Sequence, residues 1–296
     1  MAISAQDVKS LRDRTGAGMA DCKKALEESN GDMNAAIEFL RKKGAATAAK
    51  RADKTANEGV VATAVTPDHK RGAIVEVNCE TDFVARNEEF STFVRRLAQA
   101  VLDGSPSTQD ELQKLSLGDI TVETAMHELL GKFSERIEVR RFGTLSTTDG
   151  YIADYVHHGD KLGVLIELSG AGDVERTNTL ARDVAMQVAA MNPGYVNRTE
   201  VPESIVAKER EIFSEQTAAE GKKPEIAEKI VNNRVEKFYG DVCLVEQSFV
   251  KDSAKTIKEI LADFGKAEGV TVDVRRFVRF NLGESMPVSQ EAETAQ

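Results

Sequence analysis

An internal repeat places the strongest constraint on the fold of this chain. Residues 59–77, GVVATAVTPDHKRGAIVEV, align without a gap with residues 150–168, GYIADYVHHGDKLGVLIEL. Six aligned positions are identical, and most of the others exchange one apolar residue for another; the identical pairs are Gly59/Gly150, Ala62/Ala153, Val65/Val156, Lys70/Lys161, Gly72/Gly163 and Glu76/Glu167. A repeat of this kind predicts two structurally similar units within one chain.

Each copy of the repeat contains two apolar stretches separated by a polar turn, which predicts an antiparallel β-hairpin. An amphipathic pattern follows each hairpin and predicts helices over Phe90–Leu102 and Thr179–Ala190. Between the copies, residues 105–134 are predicted to be helical and Ile137–Leu145 to form a strand. Two hairpin-and-helix units with antiparallel sheets predict the α+β fold class.

The first 45 residues predict three short helices. Ser4 and Asp7 have the spacing of a capping box at the start of the first helix. The glycines of residues 16–18 end that helix, and the second helix is predicted from about Asp21 to Asn30. The third is predicted from Asp32 to Gly44. Three helices in so short a segment predict a compact bundle like the ubiquitin-associated domain.

The C-terminal half begins with a predicted pair of antiparallel helices, because narrow apolar stripes are flanked by many charges over residues 202–238. A turn at residues 221–224 separates them. A strand over Val242–Val250, a helix over Ser253–Phe264 and a strand over Val270–Leu282 are predicted to follow. The predicted division is a helical module (1–45), a partly helical linker (46–58), a first α+β unit (59–145), a second unit (146–283) with the coiled-coil hairpin inserted at 202–238, and a disordered tail (284–296).

The charge of the chain bears on its partners. The formal net charge is -10, which argues against direct nucleic-acid binding because such binding depends on neutralising phosphates. Residues 1–54 nevertheless hold eleven Lys or Arg against eight Asp or Glu. A basic module on an acidic body would suit an acidic patch on a protein partner, and an ordinary solvated surface is the alternative reading.

Several classes of protein are not supported by the sequence. No segment approaches the ~18 consecutive apolar residues of a membrane span, and the start, MAISAQDVKS, lacks the layout of a secretory signal. Cys22, Cys79 and Cys243 have neither disulfide nor zinc-site spacing. No phosphate-binding loop or motif for nucleophilic catalysis occurs. We therefore expect a cytoplasmic protein that is not an enzyme, has no cofactor or metal, and does not contact a membrane.

One loop follows only the first copy of the hairpin. The first copy continues as NCETDFVARN, residues 78–87, whereas the second continues as SGAGDVERTN. Phe83 thus falls in a polar turn between a strand and a helix, where Thr81 and Asp82 can accept hydrogen bonds from free backbone N–H groups. The turn either presents Phe83 to a partner or lets it fold back onto its own sheet.

Two motifs in this chain resemble those of the bacterial elongation factor Ts family, the nucleotide exchange factors of elongation factor Tu. The first is TDFVA at residues 81–85. The second is LRDRTGAGM at residues 11–19, followed by DCKKAL at residues 21–26. The resemblance extends from about Ile3 to about Gly283, and it favours presentation of Phe83 to a partner.

This resemblance implies a guanine nucleotide exchange factor that binds elongation factor Tu–GDP, displaces Mg²⁺ and GDP, and stabilises the nucleotide-free partner until GTP binds. It implies that the TDFVA turn dislocates the Mg²⁺ site and that the N-terminal module grips the same domain of the partner. The implied partner-binding residues are Thr81, Asp82, Phe83 and Val84 in the turn, Arg12, Met19 and Lys23 in the module, and His158 in the second unit.

Two other functions stay open from the sequence. The helical module could make the protein a scaffold that recruits a partner without exchanging its nucleotide. Cys79, next to the TDFVA turn, could belong to a thiol enzyme if a base lay nearby. The sequence also leaves the oligomeric state open, a homodimer included.

Overall fold

The computed structural model describes residues 3–51, 53–170, 174–221 and 223–284. It contains a three-helix module followed by two units, each with a three-stranded antiparallel sheet and helices on its outer face. The protein is therefore α+β, as the sequence predicts. Lys222, in the turn predicted between the two antiparallel helices, and the predicted disordered tail beyond residue 284 lie outside the described residues.

The N-terminal module follows its sequence signals closely. The Ser4 hydroxyl accepts from the Asp7 N–H and the Asp7 carboxylate accepts from the Ser4 N–H, so the predicted capping box is confirmed. Gly16 adopts a left-handed conformation that ends the first helix. Leu11 and Leu26 are fully buried in the core of the bundle. The three helices are α1 (Ala5–Thr15), α2 (Met19–Glu28) and α3 (Met33–Arg51).

The predicted end of the third helix at Gly44 is wrong, because α3 continues to Arg51 and crosses the boundary proposed at residue 45. Gly44 lies where α3 crosses a helix of the first unit. A Cβ atom at this position would come within 2.2 Å of the His127 carbonyl oxygen. This glycine therefore permits two helices to approach closely and does not act as a helix stop.

The first unit contains a hairpin, a long helix packed on its outer face, and a third strand that returns beside the second. Residues 105–134 form two helices, one of six residues and one of twelve. The elements are β1 (Glu58–Val65), β2 (Arg71–Cys79), α4 (Asp82–Ala85), α5 (Glu88–Gly104), α6 (Gln109–Lys114), α7 (Val122–Phe133) and β3 (Ile137–Ser146).

The second unit repeats this plan and adds the predicted helical hairpin. The elements are β4 (Tyr151–Val156), β5 (Leu162–Leu168), α8 (Val174–Met191), α9 (Glu203–Ala219), α10 (Pro224–Val242), β6 (Ser248–Phe249), β7 (Asp252–Thr256), α11 (Ile257–Glu268) and β8 (Val274–Asn281). The sheet of this unit has the order β4-β5-β8, and the first unit's sheet has the order β1-β2-β3.

The two sheets pack face to face, and reciprocal hydrogen bonds join the two copies of the hairpin. The Val61 N–H donates to the Asp160 carbonyl at 2.7 Å, and the Ile152 N–H donates to the His69 carbonyl at 2.8 Å. Val61 aligns with Ile152 in the repeat, and His69 aligns with Asp160. Each hairpin turn therefore holds the first strand of the other copy, in a pseudo-twofold arrangement.

The repeat also extends to the third strands, which the alignment of the hairpins does not include. The sequence VRRF occurs at residues 139–142 and again at residues 274–277. The first pair of arginines binds the buried carboxylate of Glu76, with N···O distances of 3.1 and 2.6 Å. The second pair binds Glu167 in the same way, at 3.2 and 2.7 Å. Each identical glutamate of the repeat is therefore paired inside its sheet.

The predicted elements after the helical hairpin need correction. The strand predicted over Val242–Val250 is wrong: α10 runs to Val242, a 3-10 turn follows, and within this range only Ser248–Phe249 forms a β-strand. The Gln247 side chain is buried and donates to the Asp241 carbonyl at 2.8 Å, which keeps this segment curled.

The two last predicted elements begin later than the sequence pattern suggested. The helix predicted from Ser253 begins at Ile257, because Thr256 and Glu259 form a capping box. The residues before it form the short strand β7. The final strand begins at Val274 and not at Val270.

Candidate functional site

The TDFVA sequence forms a single helical turn, α4, at the edge of the first unit. Thr81 is its N-cap, and the Thr81 hydroxyl accepts from the Val84 N–H at 3.4 Å. Asn87 then caps α5 by accepting from the Glu89 N–H at 2.9 Å. Thr81 and Asn87 thus cap two consecutive helices. The segment that the sequence predicts as a polar turn is a short helix followed directly by a long one.

Phe83 projects from this turn into solvent. Its exposed fraction is 85%, the highest among the exposed large hydrophobic side chains of the described residues. Val84 and Ala85, the next two residues, are buried in the core beneath the turn. The buried Val84 and Ala85 side chains anchor the turn, and the Phe83 ring stays in solvent. Phe83 therefore does not fold back onto its own sheet, which was one of the two alternatives that the sequence left open. The side chain of Val84 faces its own core.

Two carboxylates hold the backbone at the start of the turn. Glu135 accepts from the Thr81 N–H at 3.0 Å and from the Thr81 hydroxyl at 2.7 Å. Glu80 accepts two hydrogen bonds from Arg51, at 2.6 and 2.7 Å, and one from the Arg136 N–H at 2.5 Å. The hydrogen bonds from Arg51 lower the pKa of Glu80 to about 2, so this carboxylate is ionised at neutral pH.

Asp82 and His158 line one groove, although they belong to different units. Asp82 also forms an ion pair with Arg86 at 3.3 Å. The groove lies between α4 and the turn that joins β4 to β5, and its lining includes Gly59 and Lys161. His158 is exposed at this edge. The packing of the two sheets therefore brings together two of the residues that the family resemblance singled out.

The three residues singled out in the N-terminal module are all exposed. Met19, the first residue of α2, is 47% exposed, and Lys23 lies one turn later on the same helix. Arg12 lies near the end of α1. Lys23 pairs with Glu27, at 3.8 Å between exposed side chains. These residues are available at the surface of the bundle.

The module is joined to the first unit through its third helix. α3 packs against α7, and Arg41 on α3 binds Glu128 on α7 with an N···O distance of 2.8 Å. α3 ends at Arg51, which binds Glu80 immediately before the turn. The helix that belongs to the module therefore ends beside the turn that carries Phe83.

The geometry around Cys79 does not favour nucleophilic chemistry. The thiol is fully buried and donates to the Thr81 carbonyl at 3.2 Å. Burial raises the pKa of Cys79 to about 12, which keeps the thiol protonated. A thiol-enzyme function is therefore not supported by the environment of this cysteine.

Among the residues that the structure describes, no helix has the length and apolar character needed to cross a membrane. No group of three or more His, Cys, Asp or Glu side chains in the described ranges could hold a metal ion.

The sequence of the chain is similar to those of translation elongation factors, a class of proteins that act in protein synthesis. The family model described as Elongation factor TS matches residues 80–284. Elongation factor Ts of Chloroherpeton thalassium is 47% identical over 286 residues, and that of Chlorobium limicola is 49% identical over 286 residues. Both alignments cover 95% of this chain and 99% of the relative. The chain therefore belongs to the elongation factor Ts family.

Sequence reasoning missed the residues that hold the turn. Glu135 and Arg51 lie 54 and 30 residues from Thr81 along the chain, and neither belongs to a motif that indicates such a role. The arginine pairs of β3 and β8 could have been found, because the VRRF repeat is visible in the sequence.

Proposed function

We propose that this protein is a guanine nucleotide exchange factor that acts on elongation factor Tu in the cytoplasm. Membership of the elongation factor Ts family supports this function. The observation that carries the proposal is the 85% exposure of Phe83 on a turn whose other apolar side chains are buried. Leaving such a ring in water is unfavourable, so its exposure is explained best if a partner covers it.

The proposed mechanism is differential binding. The factor binds elongation factor Tu–GDP and holds the nucleotide-free conformation of its partner more tightly. By thermodynamic linkage, GDP then weakens the complex by the same factor by which the complex weakens GDP binding. GTP reverses the process by binding the free site. No covalent bond is formed or broken.

Phe83 acts as the wedge in this proposal. Its ring enters between two helices of the partner's GTP-binding domain, and the Asp82 carboxylate hydrogen-bonds at the end of one of them. The insertion shifts the elements that hold the partner's Mg²⁺, which removes that cation's contribution to phosphate binding. Burial of a Phe side chain contributes about 1.5–3 kcal/mol, which corresponds to about ten- to a hundredfold in the stability of the exchanging complex.

The remaining contacts would align the wedge on the partner. Arg12, Met19 and Lys23 grip the GTP-binding domain from the N-terminal module. His158 contributes from the second unit, on the same groove as Asp82. Thr81 and Val84 support the wedge from within, since the Thr81 hydroxyl is engaged by Glu135 and the Val84 side chain is buried.

The experiment is the release of a fluorescent GDP analogue from purified bacterial elongation factor Tu, with this protein added in catalytic amounts. We expect rapid release by wild type and a loss of at least about tenfold for Phe83→Ala. The matched control is Met191→Ala, which removes another exposed apolar side chain, 47% exposed, at the end of α8.

Each outcome distinguishes a function or a mechanism. Binding of the partner without faster release would refute exchange and favour a scaffold built on the helical module. Rapid release by Phe83→Ala would keep the exchange function but refute the wedge. A similar loss in Met191→Ala would show that removal of any exposed apolar side chain has this effect.

A further inference from the structure

The turn that carries Phe83 is too short to be stable by itself. α4 has four residues, and a helix of this length has not recovered the conformational entropy lost in forming its first turn. Only two of its side chains, Val84 and Ala85, are buried. The conformation of the turn therefore depends on groups that bind it from outside.

Glu135 supplies a chain of hydrogen bonds that runs into the turn. One of its carboxylate oxygens accepts a hydrogen bond from the Thr81 hydroxyl at 2.7 Å, so the hydroxyl proton points to Glu135. The oxygen of that hydroxyl then presents its lone pairs to the Val84 N–H. The other carboxylate oxygen of Glu135 accepts from the Thr81 N–H. Glu135 thus orients both the backbone and the side chain of the residue that caps the turn.

The corner between α7 and β3 makes a second contact with the same segment. Ser134 ends α7 in a left-handed conformation, φ 54°, which directs the following residues toward the turn. The Arg136 N–H binds the Glu80 carboxylate, and Arg51 binds that carboxylate through two hydrogen bonds. The turn is therefore attached to α7 through Glu135 and to α3 through Arg51.

We propose that Glu135 is a positioning residue that holds the Phe83 turn in its projecting conformation before the partner is bound. The inference deepens the proposed function and rests on it. Without Glu135 the turn would have to be ordered during insertion of Phe83. The loss then falls on the maximal rate of nucleotide release, because the contacts of the N-terminal module that serve the first encounter are unchanged.

The first test measures the rate of GDP release as a function of factor concentration for Glu135→Ala. We expect the maximal rate to fall about tenfold, or about 1.4 kcal/mol, which lies near the lower limit for hydrogen bonds to charged groups. The concentration at half-maximal rate should change less than about twofold. A maximal rate equal to that of wild type would overturn the proposal.

A double-mutant cycle tests whether Glu135 acts through Phe83. In a Phe83→Ala background, Glu135→Ala should cause almost no further loss, because there is no ring left to position. A loss that persists undiminished in that background would overturn the proposal and indicate general destabilisation. Glu246→Ala is the matched control, since Glu246 is another half-buried carboxylate and is bound by Arg198 in the second unit.

Conservative variants of the capping residue give a rescue test. Thr81→Ser retains the hydroxyl that links Glu135 to the Val84 N–H and should keep a maximal rate close to that of wild type. Thr81→Val removes the hydroxyl at nearly constant shape and should show the loss seen for Glu135→Ala. Equal rates for the two variants would contradict the proposed hydrogen-bond chain.

Hydrogen exchange in the free protein separates this inference from the proposed function. Glu135→Ala should accelerate exchange of the Thr81 and Val84 amides by about tenfold, while amides in the centre of α5 keep their wild-type protection. If wild type fails to release GDP, the exchange function is refuted, and faster amide exchange would still support a positioning role. Unchanged exchange of both amides would overturn the positioning role, whatever the release assay shows.

Discussion

The two identical glutamates of the repeat provide a quantitative prediction, because they occupy equivalent positions with unequal exposure of their partners. Glu76 is fully buried, and the Arg141 side chain that binds it is only 8% exposed. Glu76→Gln keeps the shape but leaves that guanidinium buried without a counter-charge. Removing one partner of a buried ion pair costs about 3–5 kcal/mol of folding free energy.

Glu167 has the same position in the second sheet, but its arginines are more accessible. Arg275 and Arg276 are 38% and 52% exposed, so water can solvate them. Arg275 also binds Asp149 at 2.6 Å and would keep that partner. We expect Glu167→Gln to cost about 1 kcal/mol, the upper end of the range for solvent-exposed pairs.

The assay is urea and thermal denaturation of both variants, monitored by circular dichroism, together with hydrogen exchange in each sheet. At about 2–4 °C per kcal/mol, a loss of about 3 kcal/mol lowers the melting temperature by about 6–12 °C for Glu76→Gln. The double variant Glu76→Leu/Arg141→Met should recover most of this loss, because an apolar pair needs no counter-charge. An equal loss of stability in Glu76→Gln and Glu167→Gln, or a larger loss in Glu167→Gln, would refute the reasoning.

Three further predictions test the packing of both units and the protonation of two groups in the first unit. Gly72→Ala and Gly163→Ala should each lower the free energy of unfolding by about 1–3 kcal/mol, because the added methyl would lie within 2.8 and 2.7 Å of the opposite sheet. Gly240→Ala in α10 meets nothing within 4 Å and should raise the free energy of unfolding by about 0.5–1 kcal/mol. Urea midpoints that shift alike in all three variants would contradict this prediction. The folded-state pKa of Glu80 is lowered from 4.5 to about 2 by its bound arginine, so its stabilisation is present above pH 4.5 and is lost as the pH falls toward 2. Glu80→Gln should flatten that part of the stability profile, and an unchanged slope would count against the ion pair. Burial raises the pKa of Cys79 to about 12, so iodoacetamide at pH 8 should not alkylate this thiol in the native protein. Mass spectrometry of the labelled peptides measures the alkylation, and rapid labelling of Cys79 would contradict the buried geometry.

Local sequence patterns correctly predicted the structural elements that residues close in sequence determine. The capping box of Ser4, the left-handed Gly16 and the paired hairpins all appear where the sequence indicates them. Where a contact between residues far apart in sequence determines the structure, the local pattern was misleading. Gly44 was interpreted as a helix stop, but its lack of a side chain allows α3 to cross the backbone at His127.

The candidate site divides in the same way. The TDFVA motif identified the turn, and the resemblance to the elongation factor Ts family favoured the exposure of Phe83, which the local residue pattern left open. The sequence could not relate Asp82 to His158, since their common groove arises only when the two sheets pack against each other. It also could not distinguish the role of Val84 from that of Phe83, because one helical turn buries the first and exposes the second.

The sequence by itself determined that the chain contains two similar hairpin units, a helical module and one unrepeated turn with an aromatic residue. These features depend on short-range chemistry, namely hydrophobic periodicity, capping and turn formation. Only the tertiary structure decided which side chains hold that turn. Glu135 reaches Thr81 across 54 residues of chain, because the α7–β3 corner folds back beside it. A hydrogen bond depends on distance and direction in space, and neither quantity is encoded in the spacing of residues along the chain.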